Sequence, residues 1–373
     1  MESFDVLVSG AGCVGRSLAL ALARQGHRIA LLPGQSAAVQ SDPTHDLRAY
    51  ALNASSVALL KALKVWDALP ADAATPVYDM HIEGDREGAA LDFSSWQQGV
   101  RELAWIVDAG ALEQELATAV RFAPHIQIVD KPVPAALHAL CEGKASKTRE
   151  SLGVVFDSRP YGHSAIAARL VADTPHLGCA RQWFRSPDVL ALLPFNRPVT
   201  EHSYGLVWSM PESQVPGLLQ ASPEGFEAAL NQATGGAAGK LRLVSERLVW
   251  PLSVGRAQSV TGPGWALLGD AAHVVHPLSG QGLNLGLADV SALVDVLAQR
   301  ESWRGLGDAR LLRRYERERL APTWAMRQLT DGLLHLFASE QAPLKELRNR
   351  GLTLVNHLTP FKHWLTARAL DAN

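Results

Sequence analysis

One segment of the chain reads Trp265-Ala-Leu-Leu-Gly-Asp-Ala-Ala-His-Val-Val-His-Pro-Leu-Ser-Gly-Gln-Gly-Leu-Asn-Leu-Gly-Leu-Ala-Asp289. Its apolar run Trp265–Leu268 predicts a buried strand, which ends at Gly269 and Asp270. Residues 277–282 then lead into a long helical pattern of apolar residues. A glycine-rich helix start presents unpaired backbone N–H groups and the positive end of the helix dipole, so it suits an electron-rich ligand group. Asp270 is a carboxylate that can accept hydrogen bonds from ligand hydroxyls.

Three groups of residues in this segment form an ordered motif: Gly269-Asp270-Ala-Ala-His273, Pro277 and Gly280-Gln281-Gly282-Leu283-Asn284. The motif resembles the second flavin motif of the FAD-dependent aromatic hydroxylases, the group A flavoprotein monooxygenases. The resemblance implies that Asp270 holds the ribitol chain of FAD. It also implies that Pro277 and the helix start lie beside the isoalloxazine ring, with Gly269, Leu283 and Asn284 in the same binding set. The alternative is a strand–turn–helix junction of an ordinary α/β protein.

Composition narrows the class of protein. The 373 residues include 35 Lys and Arg against 37 Asp and Glu, a formal net charge of −2, which argues against a nucleic-acid-binding surface. The three scattered cysteines, Cys13, Cys141 and Cys179, predict neither a disulfide framework nor a metal site and indicate a reducing cytosol. No signal peptide or membrane-spanning run is evident. We therefore expect a cytoplasmic α/β protein without a metal.

The N-terminus carries a second glycine-rich pattern. Phe4–Ser9 predicts a buried strand, Gly10-Ala-Gly12-Cys-Val-Gly15 a tight turn into a helix, and Arg28–Leu32 a second strand. In this order the glycines allow a sharp turn, close approach of a pyrophosphate and close packing of helix on strand. The pattern predicts a nucleotide-binding unit.

The second strand lacks the acid that normally binds the adenosine ribose. Its end holds Pro33-Gly34-Gln35. Gln35 can hydrogen-bond a ribose hydroxyl, but its side chain carries no charge to strengthen the bond. Losing a charge-assisted bond costs about 1–2 kcal/mol, or roughly tenfold in affinity. We hypothesise that FAD binds loosely, which a nanomolar affinity in an equilibrium titration would contradict.

Two further segments resemble family motifs. Asp46-Leu-Arg48-Ala-Tyr-Ala-Leu-Asn53 resembles the arginine segment, which implies that Arg48 reaches the flavin and its phosphates, as its guanidinium geometry suits. A surface arginine before an amphipathic helix is the alternative. Residues 137–149 resemble a third motif, which serves flavin and nicotinamide, although Glu142 replaces an aspartate and the path through residues 133–140 is short. A generic strand end before a basic helix start is the alternative there.

The remaining pattern completes the predicted fold. Pro76–Glu83 alternates like one strand, and residues 154–255 contain short β-like segments separated by Pro and Gly. We expect an α/β protein with a Rossmann-like, glutathione-reductase-like FAD-binding domain, an antiparallel β-sheet substrate domain and C-terminal helices. The predicted boundaries are 1–72, 101–153 and 256–320 for the first domain, 73–100 and 154–255 for the second, and 321–373 for the helical segment.

The chemistry implied by the resemblance belongs to the cofactor. In that family NAD(P)H reduces FAD, O₂ adds at the flavin C4a, and the hydroperoxide hydroxylates an electron-rich aromatic ring, in a site that excludes water. No metal cluster or hydrolytic triad is apparent in the sequence. His273 and His276 are candidates for acid–base catalysis beside the flavin, with a purely structural role as the alternative.

The C-terminal part indicates a branch of the family. Together with residues 46–66 and 262–289, the segments 313–319, 330–337, 347–352 and 355–362 resemble the ubiquinone-biosynthesis hydroxylases. The resemblance implies a polyprenylated phenol as substrate. Apolar residues between basic ones could then rest on the inner membrane, or pack against the FAD domain or a partner subunit of a biosynthetic complex: Trp324, Leu333, Leu336, Phe337, Leu354, Phe361 and Trp364.

Two other functions remain open at this point. One is a hydroxylase of a small soluble phenol. The other is a weakly catalytic flavin-binding subunit that scaffolds a complex, which the missing ribose acid and Glu142 both favour.

Overall fold

The computed structural model describes residues 4–34, 46–84, 89–275 and 281–338, with the side chains of all of these except Gln281 and residues 326–338. Four residues with a predicted site role lie outside the described residues: Gln35, His276, Pro277 and Gly280. Most of the predicted membrane-facing side chains also lie outside them. Trp324 is described.

In chain order the strands are β1 (Phe4–Ser9), β2 (Ile29–Leu32), β3 (Ala49–Leu52), β4 (Ala74–Val77), β5 (Asp79–Glu83), β6 (Ala90–Ser94), β7 (Ala104–Asp108), β8 (Ile126–Ile128), β9 (Ala135–Leu140), β10 (Phe156–Ala172), β11 (Cys179–Arg185), β12 (Asp188–Phe195), β13 (Ser203–Pro211), β14 (Leu241–Leu243), β15 (Leu248–Ala257), β16 (Thr261–Gly262), β17 (Trp265–Leu267) and β18 (His273–Val274). The helices are α1 (Cys13–Arg24), α2 (Ala54–Ala62), α3 (Ser95–Gln98), α4 (Ala109–Phe122), α5 (Lys147–Ser151), α6 (Val215–Gln220), α7 (Pro223–Thr234), α8 (Gln281–Ala298) and α9 (Ala309–Ala338).

The N-terminal strand lies inside a mainly parallel sheet of order β16-β17-β9-β1-β2-β8. β1 pairs in parallel with β2 and β9, and β9 pairs in parallel with β17. Helices α1, α4 and α8 pack on this sheet through one buried apolar cluster that includes Leu18, Leu116 and Leu293. Burial of such strands on both faces explains their nearly continuous apolar sequences. The parallel sheet with its helices confirms the predicted Rossmann-like class.

A large, mostly antiparallel sheet follows the order β18-β15-β10-β13-β12-β11-β5-β6, and β14 also pairs with β10. One face of the large sheet packs against α6 and α7, where Trp208 and Leu206 meet Phe226 and Leu230. The other face contributes Ala180 and Phe195 to a cluster with Ile106 of β7. This sheet confirms the predicted antiparallel β component of the fold.

A small sheet of order β3-β7-β4 lies between the two. The prediction of one strand over Pro76–Glu83 is wrong, because the chain leaves the small sheet after Val77 and joins the large sheet at Asp79. Tyr78 makes the crossing, since its N–H donates to Gly178 O at 2.9 Å and its carbonyl accepts from Ser95 N at 2.8 Å. Alternating polarity cannot reveal such a change of sheet.

Within the described residues, none of the helices combines the length and the apolar character that crossing a bilayer requires.

Candidate cofactor site

Three neighbouring strands of the parallel sheet end at the same edge. Hydrogen bonds continue the pairing past the strand ends, since Cys141 N donates to Ser9 O at 2.7 Å and Leu268 N to Leu140 O at 3.0 Å. The turns after β1, β9 and β17 therefore lie side by side. In open α/β sheets, ligands bind outside the carboxyl ends of the strands. We call residues 10–15 the first turn and residues 269–271 the second turn.

The first turn is packed tightly except at its middle glycine. Gly10 has φ +103°, and a Cβ on it would lie 2.1 Å from Cys141 O. A Cβ on Gly15 would lie 1.9 Å from Gly10 O. Gly12 precedes α1 without a side-chain cap, and a Cβ on it would meet no atom of the described residues within 4 Å. The described part of the chain thus leaves space beside Gly12 at the start of α1, where unpaired helix N–H groups suit a phosphate group.

The second turn touches the first directly. A Cβ placed on Gly269 would lie 3.2 Å from Val14 Cγ2, inside the first turn. A Cβ on Gly286 of α8 would lie 2.6 Å from the same atom and 3.3 Å from Gly269 Cα. Only glycine allows α1, α8 and the second turn to approach this closely. The two glycine-rich segments, 254 residues apart in sequence between Gly15 and Gly269, lie against each other.

Asp270 follows Gly269 in the second turn. Its side chain is accessible to solvent, yet protein surrounds it closely enough that desolvation raises the pKa of its carboxyl, against the attraction of His273 and Lys144. A solvent-accessible carboxylate is available to hydroxyl donors of a ligand.

The second turn is held from behind by a buried carboxylate. Asp289 of α8 is 0% exposed, and its Oδ2 accepts the Gly269 N–H at 2.9 Å and lies 2.7 Å from His273 Nε2. Its Oδ1 accepts from Arg319 Nε at 2.7 Å. Burial alone would raise the pKa of Asp289, but His273 and Arg319 lower it overall. Burial by itself would lower the pKa of His273, but the attraction of Asp289 outweighs burial, so the pKa of His273 is raised.

Arg48 lies beside the start of α1, paired with two acids. Its Nη2 is 2.6 Å from Asp46 Oδ2 and 2.9 Å from Glu113 Oε1. It is close enough to Cys13 to lower the pKa of that thiol, although burial first and Glu113 second raise it to about 12. The thiol is therefore neutral and puts no negative charge next to the phosphate position. Contact of Arg48 with the phosphates stays a prediction.

Asn284 faces the protein. Its Oδ1 accepts from Asn53 N at 3.0 Å and Ser56 Oγ at 2.7 Å, and its Nδ2 donates to Ala51 O at 2.7 Å. The side chain thus joins α8 to β3 and α2, and a contact of Asn284 with the cofactor stays a prediction. Gly282 and Leu283 directly follow Gln281, the residue at which α8 begins.

The third motif ties the turn after β9 to the second turn. Glu142 accepts from Ser146 Oγ at 2.6 Å and from Thr148 N at 3.1 Å, so its carboxylate caps α5. Arg149 is buried, and its Nη1 donates to Ala271 O at 2.9 Å while its guanidinium lies 4.0 Å from the Phe156 ring centre. These contacts give the motif a structural role, and its part in nicotinamide binding stays a prediction.

Sequence reasoning missed Asp289 and Arg319. Asp289 stands in the apolar stretch 283–294 of α8, where an isolated acid signals a buried partner. Arg319 is one of several basic residues in a charged helix, and no sequence pattern distinguishes it from the others.

The parallel sheet, the glycine turn that leads into α1 and the adjacent second turn have the arrangement of a dinucleotide-binding fold. The chain matches the FAD-binding-domain family over residues 118–330. The ubiquinone hydroxylase UbiL of Rhodospirillum rubrum is 30% identical, over 98% of this chain and 89% of that protein. The 3-demethoxyubiquinol 3-hydroxylase of Escherichia coli is 29% identical, over 93% of each chain. The crystal structure of PqsL, a probable FAD-dependent monooxygenase from Pseudomonas aeruginosa, superposes with a TM-score of 0.76 at 20% identity, covering 94% of this chain and 100% of that one.

The chain belongs to the family of FAD-dependent aromatic hydroxylases, in its ubiquinone-biosynthesis branch. The residues present fit FAD. The open space at Gly12 fits the pyrophosphate, and the accessible carboxylate of Asp270 fits a polyhydroxyl chain.

Proposed function

We propose that this protein hydroxylates the aromatic ring of a polyprenylated phenol in ubiquinone biosynthesis. The reaction consumes NAD(P)H, a proton and O₂ with the ring C–H, and yields NAD(P)⁺, the ring C–OH and water. FAD supplies the redox chemistry when bound. The similarity to ubiquinone hydroxylases along nearly the whole chain supports this substrate class.

One observation carries the proposal. β18 begins three residues after Asp270 and pairs with the long strand β15, Arg256 opposite His273 and Gly255 opposite Val274. The large sheet is therefore joined by its own hydrogen bonds to the chain that leaves the second turn. A substrate bound on this sheet would lie next to the flavin site.

The face of the large sheet that carries Arg169 and Gly205 points toward the Arg48 segment. Arg169 Nη2 donates to Arg48 O at 3.0 Å, and a Cβ on Gly205 would lie 3.5 Å from Ala49 Cβ. Residues at even spacing from these share the face. They form cross-strand rows of mostly small side chains, Ala167–Val207–Ala191 and Ala165–Ser209–Val189. Small side chains take up little space over this face, and we therefore propose it as a wall of the substrate site.

The chain's own residues would bind FAD and orient it. The N–H groups of α1 behind Gly12 would hold the pyrophosphate, with Arg48 as the nearby cation. Asp270 would accept the ribitol hydroxyls. Gly282 and Leu283 at the start of α8 would border the ring. Asp289 keeps Gly269, and with it the second turn, in place.

The predicted domain partition is part of this proposal. Strands β1, β2, β8, β9, β16 and β17 of the parallel sheet fall within 1–72, 101–153 and 256–320, and β5, β6 and β10–β14 of the large sheet within 73–100 and 154–255. That distribution supports a discontinuous FAD-binding domain and a β-rich substrate domain. We also propose peripheral membrane contact by α9, whose outer side exposes Leu320 and Trp324.

The test is turnover with defined substrates. The purified protein loaded with FAD is given NAD(P)H and a polyprenylated phenol in lipid vesicles, and the hydroxylated product is followed by mass spectrometry. We expect product, and NAD(P)H oxidation that rises with the prenylated phenol. Turnover with only short soluble phenols would favour the soluble-substrate alternative. Tight FAD binding without product from any phenol would favour the scaffold.

A further inference from the structure

α9 bonds two elements that adjoin the second turn. On the α8 side, Arg319 Nε donates to Asp289 Oδ1 at 2.7 Å, and Arg319 Nη2 donates to Leu285 O at 3.3 Å. On the β17 side, the buried Tyr315 hydroxyl donates to Leu267 O at 2.8 Å. Tyr315 and Arg319 are four residues apart, so they project from the same side of the helix. α9 thus bonds the strand that leads into the second turn and the helix whose Asp289 accepts the Gly269 N–H.

Asp289 links these contacts to the turn itself. The same carboxylate that accepts from Arg319 also accepts the Gly269 N–H. Gly269 directly precedes Asp270, and its φ of +59° defines the turn. A buried carboxylate that loses a cationic partner reorganises or takes up a proton, because an uncompensated charge is strongly unfavourable inside a protein. Removing Arg319 would therefore change the acceptor that fixes Gly269.

We propose that Arg319 and Tyr315 are positioning residues for FAD, through which the docking of α9 sets the conformation of the second turn. The inference rests on the proposed function, because it takes the second turn as part of the FAD site. Coupling between two sites is reciprocal. If docked α9 strengthens FAD binding, bound FAD must stabilise the docked α9 to the same extent.

The first experiment measures FAD affinity by fluorescence titration of Arg319→Met. Two matched controls have the same substitution elsewhere. Arg317→Met changes an exposed arginine of α9 whose Nε bonds Arg313 O of the same helix. Arg247→Met removes an arginine that bonds Leu218 O and Ala221 O beside α6, away from the parallel sheet. It controls for loss of stability without a change at the site.

We expect Arg319→Met to weaken FAD binding by about tenfold, within the usual range of coupling between sites. Both controls should stay within about twofold of the wild type, as surface or distant changes do. Tyr315→Phe, which removes one hydrogen bond and little volume, should weaken binding by about fivefold. Equal affinities of Arg319→Met and Arg317→Met would overturn the inference, as would an equal loss in Arg247→Met.

The second experiment needs no variant. Hydrogen exchange of the wild type is compared with and without saturating FAD, and the amides of residues 312–319 should exchange about fivefold more slowly with FAD. Unchanged exchange in α9, while the first turn gains protection, would refute the coupling and leave the proposed function intact. Failure of the wild type to bind FAD would instead refute the proposed function, and this inference with it.

Discussion

A side chain would have a different effect at each of the three glycines of the first turn, Gly10, Gly12 and Gly15. At Gly10 the φ of +103° and the nearby Cys141 carbonyl exclude a Cβ, and at Gly15 the Gly10 carbonyl excludes one. Gly12 has an ordinary φ of −79°, and no described residue lies within 4 Å of a Cβ placed on it. The fold therefore does not require glycine at position 12. A pyrophosphate in front of α1 would require it, since a methyl group there would occupy the ligand's place.

We expect Gly12→Ala to unfold at the wild-type temperature without FAD, and to bind FAD at least about tenfold more weakly. Gly10→Ala should instead destabilise the fold itself, by about 1–3 kcal/mol or more, because its Cβ meets backbone atoms. Thermal unfolding and flavin fluorescence titration measure the two effects separately. Wild-type FAD affinity in Gly12→Ala would place the pyrophosphate elsewhere.

The His273–Asp289 contact predicts how stability depends on pH. The pKa of His273 is raised, because Asp289 outweighs the effect of burial. The stability that protonated His273 contributes is complete below the pKa of about 6.5 that histidine has in the unfolded chain. It is lost as the pH rises through the pKa of His273 in the folded protein. The pKa of Asp289 is lowered, so its contribution disappears only as the pH falls through that lowered value. Above about pH 6.5, the wild type should thus lose stability as the pH rises.

His273→Gln is the matched variant, since it keeps a polar side chain without a titration. Urea unfolding at a series of pH values from neutral to mildly alkaline should show a steeper loss for the wild type than for this variant. Parallel curves for the two proteins would mean that His273 does not carry the expected charge.

At the scale of elements, Asn284 joins α8 to the β3–α2 segment that follows Arg48. Asn284→Ala would leave Asn53 N–H, Ser56 Oγ and Ala51 O without this buried partner, which should cost about 2–4 kcal/mol of unfolding free energy. FAD binding should weaken too, because both elements border the site. Urea unfolding and FAD titration measure the two losses.

Asn231 provides the control for that prediction. Its amide makes an equivalent set of bonds, to Glu227 O and to both backbone groups of Leu241, but it lies on α7. Asn231→Ala should lose comparable stability and keep the wild-type FAD affinity. A similar loss of affinity in both variants would show that Asn284 acts only through general stability.

The predictable elements are those whose signal is local. The strand at 265–268 and the glycine turn at residues 10–15 follow from apolar runs and from glycine spacing. β18 is only two residues long and is defined by its pairing with β15, which no local pattern contains. The same limit hid the change of sheet at Tyr78. Asp289 could be noticed as an isolated acid in an apolar helix, but its partners Gly269 and Arg319 come from distant segments.

At the scale of the whole molecule, the two main sheets and the C-terminal helix meet at one short stretch of chain. Gly269 follows strand β17 of the parallel sheet, and His273 pairs with strand β15 of the large sheet. Arg319 of α9 donates a hydrogen bond to Asp289. The proposed flavin site and the helix with exposed apolar side chains are thereby joined through this stretch.

This arrangement predicts that membrane contact depends on the outer side of α9. Leu320 is 62% and Trp324 58% exposed, four residues apart on the helix, with the exposed Arg313 and Arg317 on preceding turns. Apolar side chains beside basic ones favour an anionic lipid surface. We expect the wild type to co-sediment with anionic vesicles at low salt, and Leu320→Ser/Trp324→Ser to remain largely in the supernatant with unchanged FAD affinity.

Trp96→Ser is the control, because Trp96 is 89% exposed but lies on α3 beside the large sheet, and its loss should not reduce sedimentation. A wild type that stays entirely in the supernatant, or an equal loss in both variants, would exclude α9 as the contact and leave its exposed side chains for a protein partner.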